Sequence, residues 1–89
     1  MNFKKSLRKD IGVFLRKSRK DKELSASQLG HLVKLIQQQV SRYELGITHI
    51  NMEMLGVFLI ALDKSWSDFF FNVMAYHSDE IRRLKTELY

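Results

Sequence analysis

No proline interrupts the 89 residues of this chain, and only four glycines do. Without proline the chain lacks its strongest helix breaker, and with so few glycines it has few easy sites for left-handed turns. Regular structure must therefore run in long stretches, and the period of the apolar residues decides its kind. In the first stretch Leu7, Ile11, Phe14 and Leu15, with Ser18 beside them, recur at three- and four-residue spacing. Arg8, Lys9, Arg16, Lys17 and Lys20 fill the remaining faces. This is an amphipathic helix, expected over about residues 7–21.

Capping residues divide the rest. Ser25 with Gln28 three places on is a capping box, and Leu29, Leu32 and Val33 supply the buried stripe of a short second helix. A third helix, expected over about 37–45, covers "QQQVSRYEL". Val40 and Tyr43 face inward, Gln37, Gln38, Ser41 and Arg42 face outward, and Gly46 is its C-terminal stop. Asn51 caps a fourth helix, 52–63, which is apolar almost all round. Ser65 and Asp68 cap a fifth within "WSDFFFNVMAY". Ser78, followed by Asp79 and Glu80, caps a last segment with Ile81, Leu84 and Leu88 on one side. No strand alternation and no repeat appears. The expectation is an all-α fold of five short helices (1–72) with a short C-terminal helical extension (73–89).

Charge is divided unevenly. Residues 1–46 carry eleven Lys or Arg against four acids, a net +7, and residues 47–89 carry four against six, a net −2. A basic half backed by a mildly acidic one points to a polyanion-facing surface. There is no cysteine, so no disulfide framework, thiolate nucleophile or cysteine zinc site exists. His31, His49 and His77 lack metal-ligand spacing, and no catalytic triad or Gly-rich phosphate loop is present. No cofactor, metal, catalytic residue or small-molecule ligand is expected, and the chain is not read as an enzyme. The longest apolar run, "MLGVFLIAL", is far short of the ~20 residues that span a bilayer. "MNFKKSLRKD" has no following apolar segment of signal-peptide type, so the cytoplasm is the expected compartment.

The glutamine run acquires meaning from its neighbours. An apolar-faced helix of about eight residues, a tight turn and a second short helix with a polar outer face make a helix-turn-helix. In that arrangement the second helix enters the DNA major groove. A glutamine amide donates and accepts together, matching N6 and N7 of adenine, and arginine matches O6 and N7 of guanine.

The sequence resembles the Cro/C1-type (XRE-like) helix-turn-helix regulators over roughly residues 8–70. "LRKSRKDKELSASQLGHLV", "QQQVSRYELG" and "INMEMLGVFLIALDKSWSDFF" match that family's first helix, two-helix reader, and fourth and fifth helices in order and length. Within the family, "QQQVSRYELG" looks like the small regulators linked to fimbrial operons in enteric bacteria. The resemblance implies a lambda-repressor-like fold, a bacterial, nucleoid-associated place of action and double-stranded DNA as the partner. It implies base reading by Gln37, Gln38, Ser41 and Arg42. Phosphate contacts would come from Ser25 and Ser27 at the start of the second helix, from Thr48 and His49 in the loop after the reader, and from Lys17. Gln39 would meet the backbone or a neighbouring base. It also implies an ion pair between Arg19 and Glu44.

Three positions depart from the family pattern. Ala26 stands where glutamine usually follows the cap, Lys34 where the turn usually has glycine, and Ile36 where Ser or Thr usually caps the reader. Which glutamine meets which base therefore stays open. The aromatic segment poses a separate question. Trp66, Phe69 and Phe70 could all be core, but three successive phenylalanines cannot all face inward when neighbours are about 100° apart. A homodimer interface of Trp66, Phe70, Phe71, Ile81, Leu84 and Leu88 is the preferred expectation. The rival is an antitoxin-like or adaptor module that uses the same fold mainly to hold another protein.

Overall fold

The computed structural model describes residues 3–88. Six α-helices follow one another: α1 (Phe3–Asp21), α2 (Ala26–Val33), α3 (Gln37–Glu44), α4 (Met52–Ala61), α5 (Trp66–Asn72) and α6 (Ser78–Leu88), with a 3-10 turn, Met74–His77, between the last two. No strand occurs among the described residues. α1 starts four residues earlier than its apolar spacing suggests, because nothing in "FKKS" breaks a helix. Arg19 and Lys20 in its last turn complement the negative end of its dipole.

Four of the helices end the same way. Glu23, Lys34, Gly46 and Asp63 take left-handed backbone angles, with φ of 59°, 60°, 72° and 55°. The next residue in each case donates its N–H to the carbonyl five positions back: Leu24 to Arg19, Leu35 to Gly30, Ile47 to Arg42 and Lys64 to Leu59, at 2.8–3.1 Å. This bond satisfies a carbonyl that the helix itself leaves without a partner. Only one of the four is glycine, so three side chains tolerate a conformation that costs about 1–2 kcal/mol. The fourth helix consequently stops at Ala61, two residues before the expected 63.

The core is Phe14 and Leu15 of α1, Leu29 and Val33 of α2, Val40 of α3, Leu55, Phe58, Leu59 and Leu62 of the α4 region, and Phe69 and Val73 of the α5 region. Tyr43 is half-buried and stands edge-on to Phe58 at 5.7 Å. Leu32, expected in the buried stripe of α2, is instead 54% exposed. Leu29, Gly30 and Val33 are the buried residues of α2, and a face centred on them turns Leu32 outward by about a quarter turn or more.

Ser65 and Asp68 form a reciprocal capping box at α5. The Ser65 N–H bond holds the Asp68 carboxyl below its ordinary value. Ser78, expected to cap the last helix, has helical angles (φ −58°, ψ −41°) because the 3-10 turn runs directly into α6. His77 in that turn is buried, with Nε2 2.8 Å from Asp10 Oδ2 and the Phe3 ring edge-on at 5.7 Å. This histidine–acid pair, 67 residues apart in sequence, was invisible in the spacing of either residue.

Candidate nucleic-acid interface

The α2–α3 unit begins with a complete cap. Ser25 Oγ accepts from the Gln28 N–H at 3.0 Å, and Gln28 Oε1 accepts from the Ser25 N–H at 2.8 Å. The Ser25 hydroxyl keeps its own proton for another acceptor, and Ser27, in the first turn, is exposed. The turn that follows holds Lys34 in the left-handed region, and Leu35 is half-buried. α3 then starts at Ile36 with no side-chain hydrogen bond to cap it.

On α3, Gln37, Gln38 and Arg42 are exposed, Gln39 and Ser41 are half-buried, and Val40 and Glu44 are buried. One helix therefore separates a polar outer face from an inner face of one valine and one carboxylate. Helical spacing continues the outer face from Gln38 through Ser41 and Arg42 to Leu45, which is 59% exposed. Ile36 and Ile47, outside the two ends of α3, are also exposed. These apolar neighbours escaped the sequence reading, which sought polar groups only.

The buried carboxylate is closed from behind. Arg19 Nε donates to Glu44 Oε2 at 2.7 Å, Nη2 donates to Oε1 at 3.0 Å, and Nη1 donates to the Leu24 carbonyl at 2.8 Å. The two side chains are only 11% and 5% exposed. Hydrogen bonding to Glu44 raises the Arg19 guanidinium above its already high ordinary value, against the opposing effect of burial. A planar, bidentate pair fixes orientation as well as distance. Gly12 completes the joint: a Cβ there would lie 2.3 Å from the Glu44 carbonyl oxygen and 2.6 Å from that of Tyr43. α1 and α3 can touch backbone to backbone only because this position has no side chain.

Of the other expected backbone contacts, Thr48 is half-buried and His49 exposed in the loop after α3. Lys17 is exposed on α1 and borders one groove whose α3-side members are Glu44 and Leu45. It therefore stands nearer the end of α3 opposite Gln37. The expected interface residues Trp66, Phe70 and Phe71 lie on α5, and Ile81, Leu84 and Leu88 lie on α6. All six are exposed, whereas Phe69 is 7% exposed and packs edge-on to Phe14. Among the described residues no helix is long and apolar enough to cross a membrane, and no group of three or more His, Cys, Asp or Glu side chains is placed to hold a metal ion.

Comparison with known proteins agrees with this geometry. A helix-turn-helix family model matches residues 15–69, the span from the middle of α1 through most of α5. The crystal structure of the clp gene regulator ClgR from Corynebacterium glutamicum superposes with a TM-score of 0.74 at 25% identity, covering 81% of this chain and 94% of that one. A second structure of the same regulator gives 0.74 at 22% identity, over 91% and 86% of the two chains, and speaks for the fold alone. No curated protein sequence matches significantly. The matched span is more than half of the sequence and contains α2, α3 and α4 whole: this chain belongs to the Cro/C1-type helix-turn-helix family.

Proposed function

We propose that this chain is a sequence-specific DNA-binding transcriptional regulator that lays α3 in the major groove. The observation that carries the reading is the two-sided build of α3. Gln37, Gln38, Ser41 and Arg42 stand on its open side, and the Arg19–Glu44 pair holds it from behind. Gln37, Gln38 and Arg42 offer the donor and acceptor patterns that adenine and guanine present there, and Ser41 adds a short hydroxyl. Leu45 and Ile36 add apolar surface of the kind that meets a thymine methyl. Ser25, Ser27, Gln39, Thr48, His49 and Lys17 serve the phosphates, which position the protein without reading sequence.

The chain works as a homodimer on a palindromic operator, joined through residues 65–88. Support comes from the uncovered apolar surface there, since large apolar patches are uncommon on monomers. Two-fold pairing puts two reading helices about 34 Å apart, one turn of B-DNA. Residues 1–72 then form the DNA-binding domain, and 73–89 form the dimerising extension, whose last residue lies outside those described. The regulated genes are those of a fimbrial operon, a reading that rests on the likeness of "QQQVSRYELG" alone and is tested by mapping bound sites on the genome.

Selection from random duplexes tests the whole reading. It should enrich one two-fold symmetric sequence, bound with steep salt dependence. Gln38→Ala should lose about 1–3 kcal/mol on that sequence and relax preference at particular base pairs, whereas Ser27→Ala should weaken all duplexes alike. Failure to enrich any sequence, or a Gln38→Ala variant as tight and selective as the parent, would refute α3 as the reader.

A further inference from the structure

A groove of about 400 Å³ opens between the first half of α1 and the loop after α3. It is lined by half-buried Leu7, Ile11, Tyr43 and Ile50, together with half-buried Arg8 and Thr48 and exposed Lys4 and His49. Among the described residues no carboxylate lines this groove, and none pairs with Lys4 or Arg8. Two cations, a hydroxyl and an imidazole thus line one groove, with no carboxylate among its described lining residues.

The opening is also rigidly placed. Gly46, at φ 72°, presses onto α1 so closely that a Cβ would lie 2.8 Å from the Cα of Lys9 and 3.3 Å from the carbonyl carbon of Arg8. Gly12 makes the matching contact three residues further along α1, against the carbonyl of Glu44. The loop bearing Thr48 and His49, the turn of α1 bearing Arg8, and the C-terminal end of α3 are thus one unit. A cation there keeps a constant offset from the reading residues.

We propose that Lys4 and Arg8, with Thr48 and His49, form a second phosphate clamp that grips the DNA backbone beyond the segment read by α3. This rests on α3 being the reader. Arg8 and Lys4 line the same groove as Thr48 and His49, so a phosphate held by that loop has both cations beside it, and phosphate suits a set of donors without acids. A half-buried arginine can cover apolar surface with its methylenes while its charge stays in water, which accounts for the apolar lining without a second ligand. The clamp adds affinity and register, and reads no base.

The test compares parent, Lys4→Gln, Arg8→Gln, Arg8→Lys and Gln38→Ala on the selected duplex and on an unrelated one, from about 50 to 200 mM salt. Removing each clamp cation should flatten the log–log slope by about 0.9. It should weaken both duplexes by the same factor and abolish ethylation interference at phosphates flanking the read segment. Arg8→Lys should restore most of the slope, and thermal melts should match the parent because, among the described residues, neither cation has a carboxylate partner. Gln38→Ala should lose selectivity with its slope intact. If the parent binds tightly while Arg8→Gln keeps the full slope and the same interference pattern, the clamp is wrong and the reader stands. Shifts in the Ile11 and Tyr43 NMR signals on adding dodecanoate, with that unchanged slope, would assign the groove to an amphipathic acid instead. A parent that binds no duplex takes both readings down.

Discussion

Behind α3 the protein buries charge and closes on it, whereas along α5 and α6 it leaves aromatic and aliphatic side chains open. Glu44 sits 5% exposed with both oxygens engaged by Arg19, and α1 meets the end of α3 at Gly12 with no side chain between them. Phe71 is 70% exposed, and every residue of α6 with a described side chain is exposed. The tie from the 3-10 turn back to α1 runs through His77 and Asp10, whose carboxyl side is half open to solvent. The difference separates a surface whose backing is fixed within the chain from one that the chain leaves uncovered. On the proposed function, amides that meet base edges within hydrogen-bond tolerance need a backing that does not shift, and the buried ion pair supplies one. The proposed dimer would cover the second surface, which then gains nothing from being closed in the monomer.

The sharpest way to break the contrast is to unlock the first region. Arg19→Met leaves the Glu44 carboxylate buried without its partner, a loss of about 3–5 kcal/mol. Since 1 kcal/mol moves the melting temperature of a domain this size by about 4–8 °C, the drop should exceed 10 °C in a thermal melt. The double variant Arg19→Met with Glu44→Leu should recover much of it, because two apolar side chains leave no charge stranded. Equal instability of the double variant would count against the pair as the lock.

Gly12→Ala attacks the same joint without touching charge. Alanine favours a helix over glycine by about 1 kcal/mol, but its Cβ meets backbone oxygens that have no rotamer to change. A net loss of about 1–3 kcal/mol is expected from forcing α1 and α3 apart. DNA affinity should fall even at temperatures where circular dichroism reports full folding, since α3 and Arg8 then lose their fixed offset.

Lys34→Gly sharpens the comparison from the other side. It relieves about 1–2 kcal/mol of left-handed strain and gives back about 0.5–1 kcal/mol through the more flexible unfolded chain. Chemical denaturation should show a gain of up to about 1.5 kcal/mol. A loss would mean that the lysine side chain makes a compensating contact.

The second region should be almost silent in such measurements. Phe71→Asp, or Leu84→Asp on α6, alters a position exposed in the single chain and should change the stability of the monomer fold by no more than about 0.5 kcal/mol, any further loss being the concentration-dependent contribution of the dimer. Sedimentation should nevertheless convert a parent dimer into a folded monomer that keeps weak half-site binding and loses the full operator. A parent that sediments as a monomer at tens of micromolar would remove self-association and favour a heterologous partner for this face.

Much of this was legible in the chain because it depends on local chemistry. The capping side chains of Ser25, Asn51 and Ser65, and the outward placing of Gln37, Gln38 and Arg42, follow from hydrogen-bond arithmetic and a period of 3.6. Leu32 was misread because two candidate stripes on α2 differ by less than the width of a helix face, and only the position of its neighbours chooses between them. Ser78 was misread because a cap motif requires extended backbone before it, and the 3-10 turn removed that backbone. Two left-handed stops, Glu23 and Asp63, left no compositional mark, since glycine is the usual sign of that conformation.

By itself, then, the sequence determined that the chain is helical, where most helices begin, and which residues compose the polar face of α3, because capping and periodicity act within one turn of the chain. Tertiary structure alone decided the rest. It brought His77 to Asp10 and aligned both nitrogen–oxygen contacts of Arg19 and Glu44. It seated Gly12 and Gly46 against backbone and gathered Lys4, Arg8, Thr48 and His49 around one opening. Each of these joins residues at least ~25 positions apart. Their meeting depends on how helices cross, and crossing is set by packed volume and backbone approach, which no local pattern encodes.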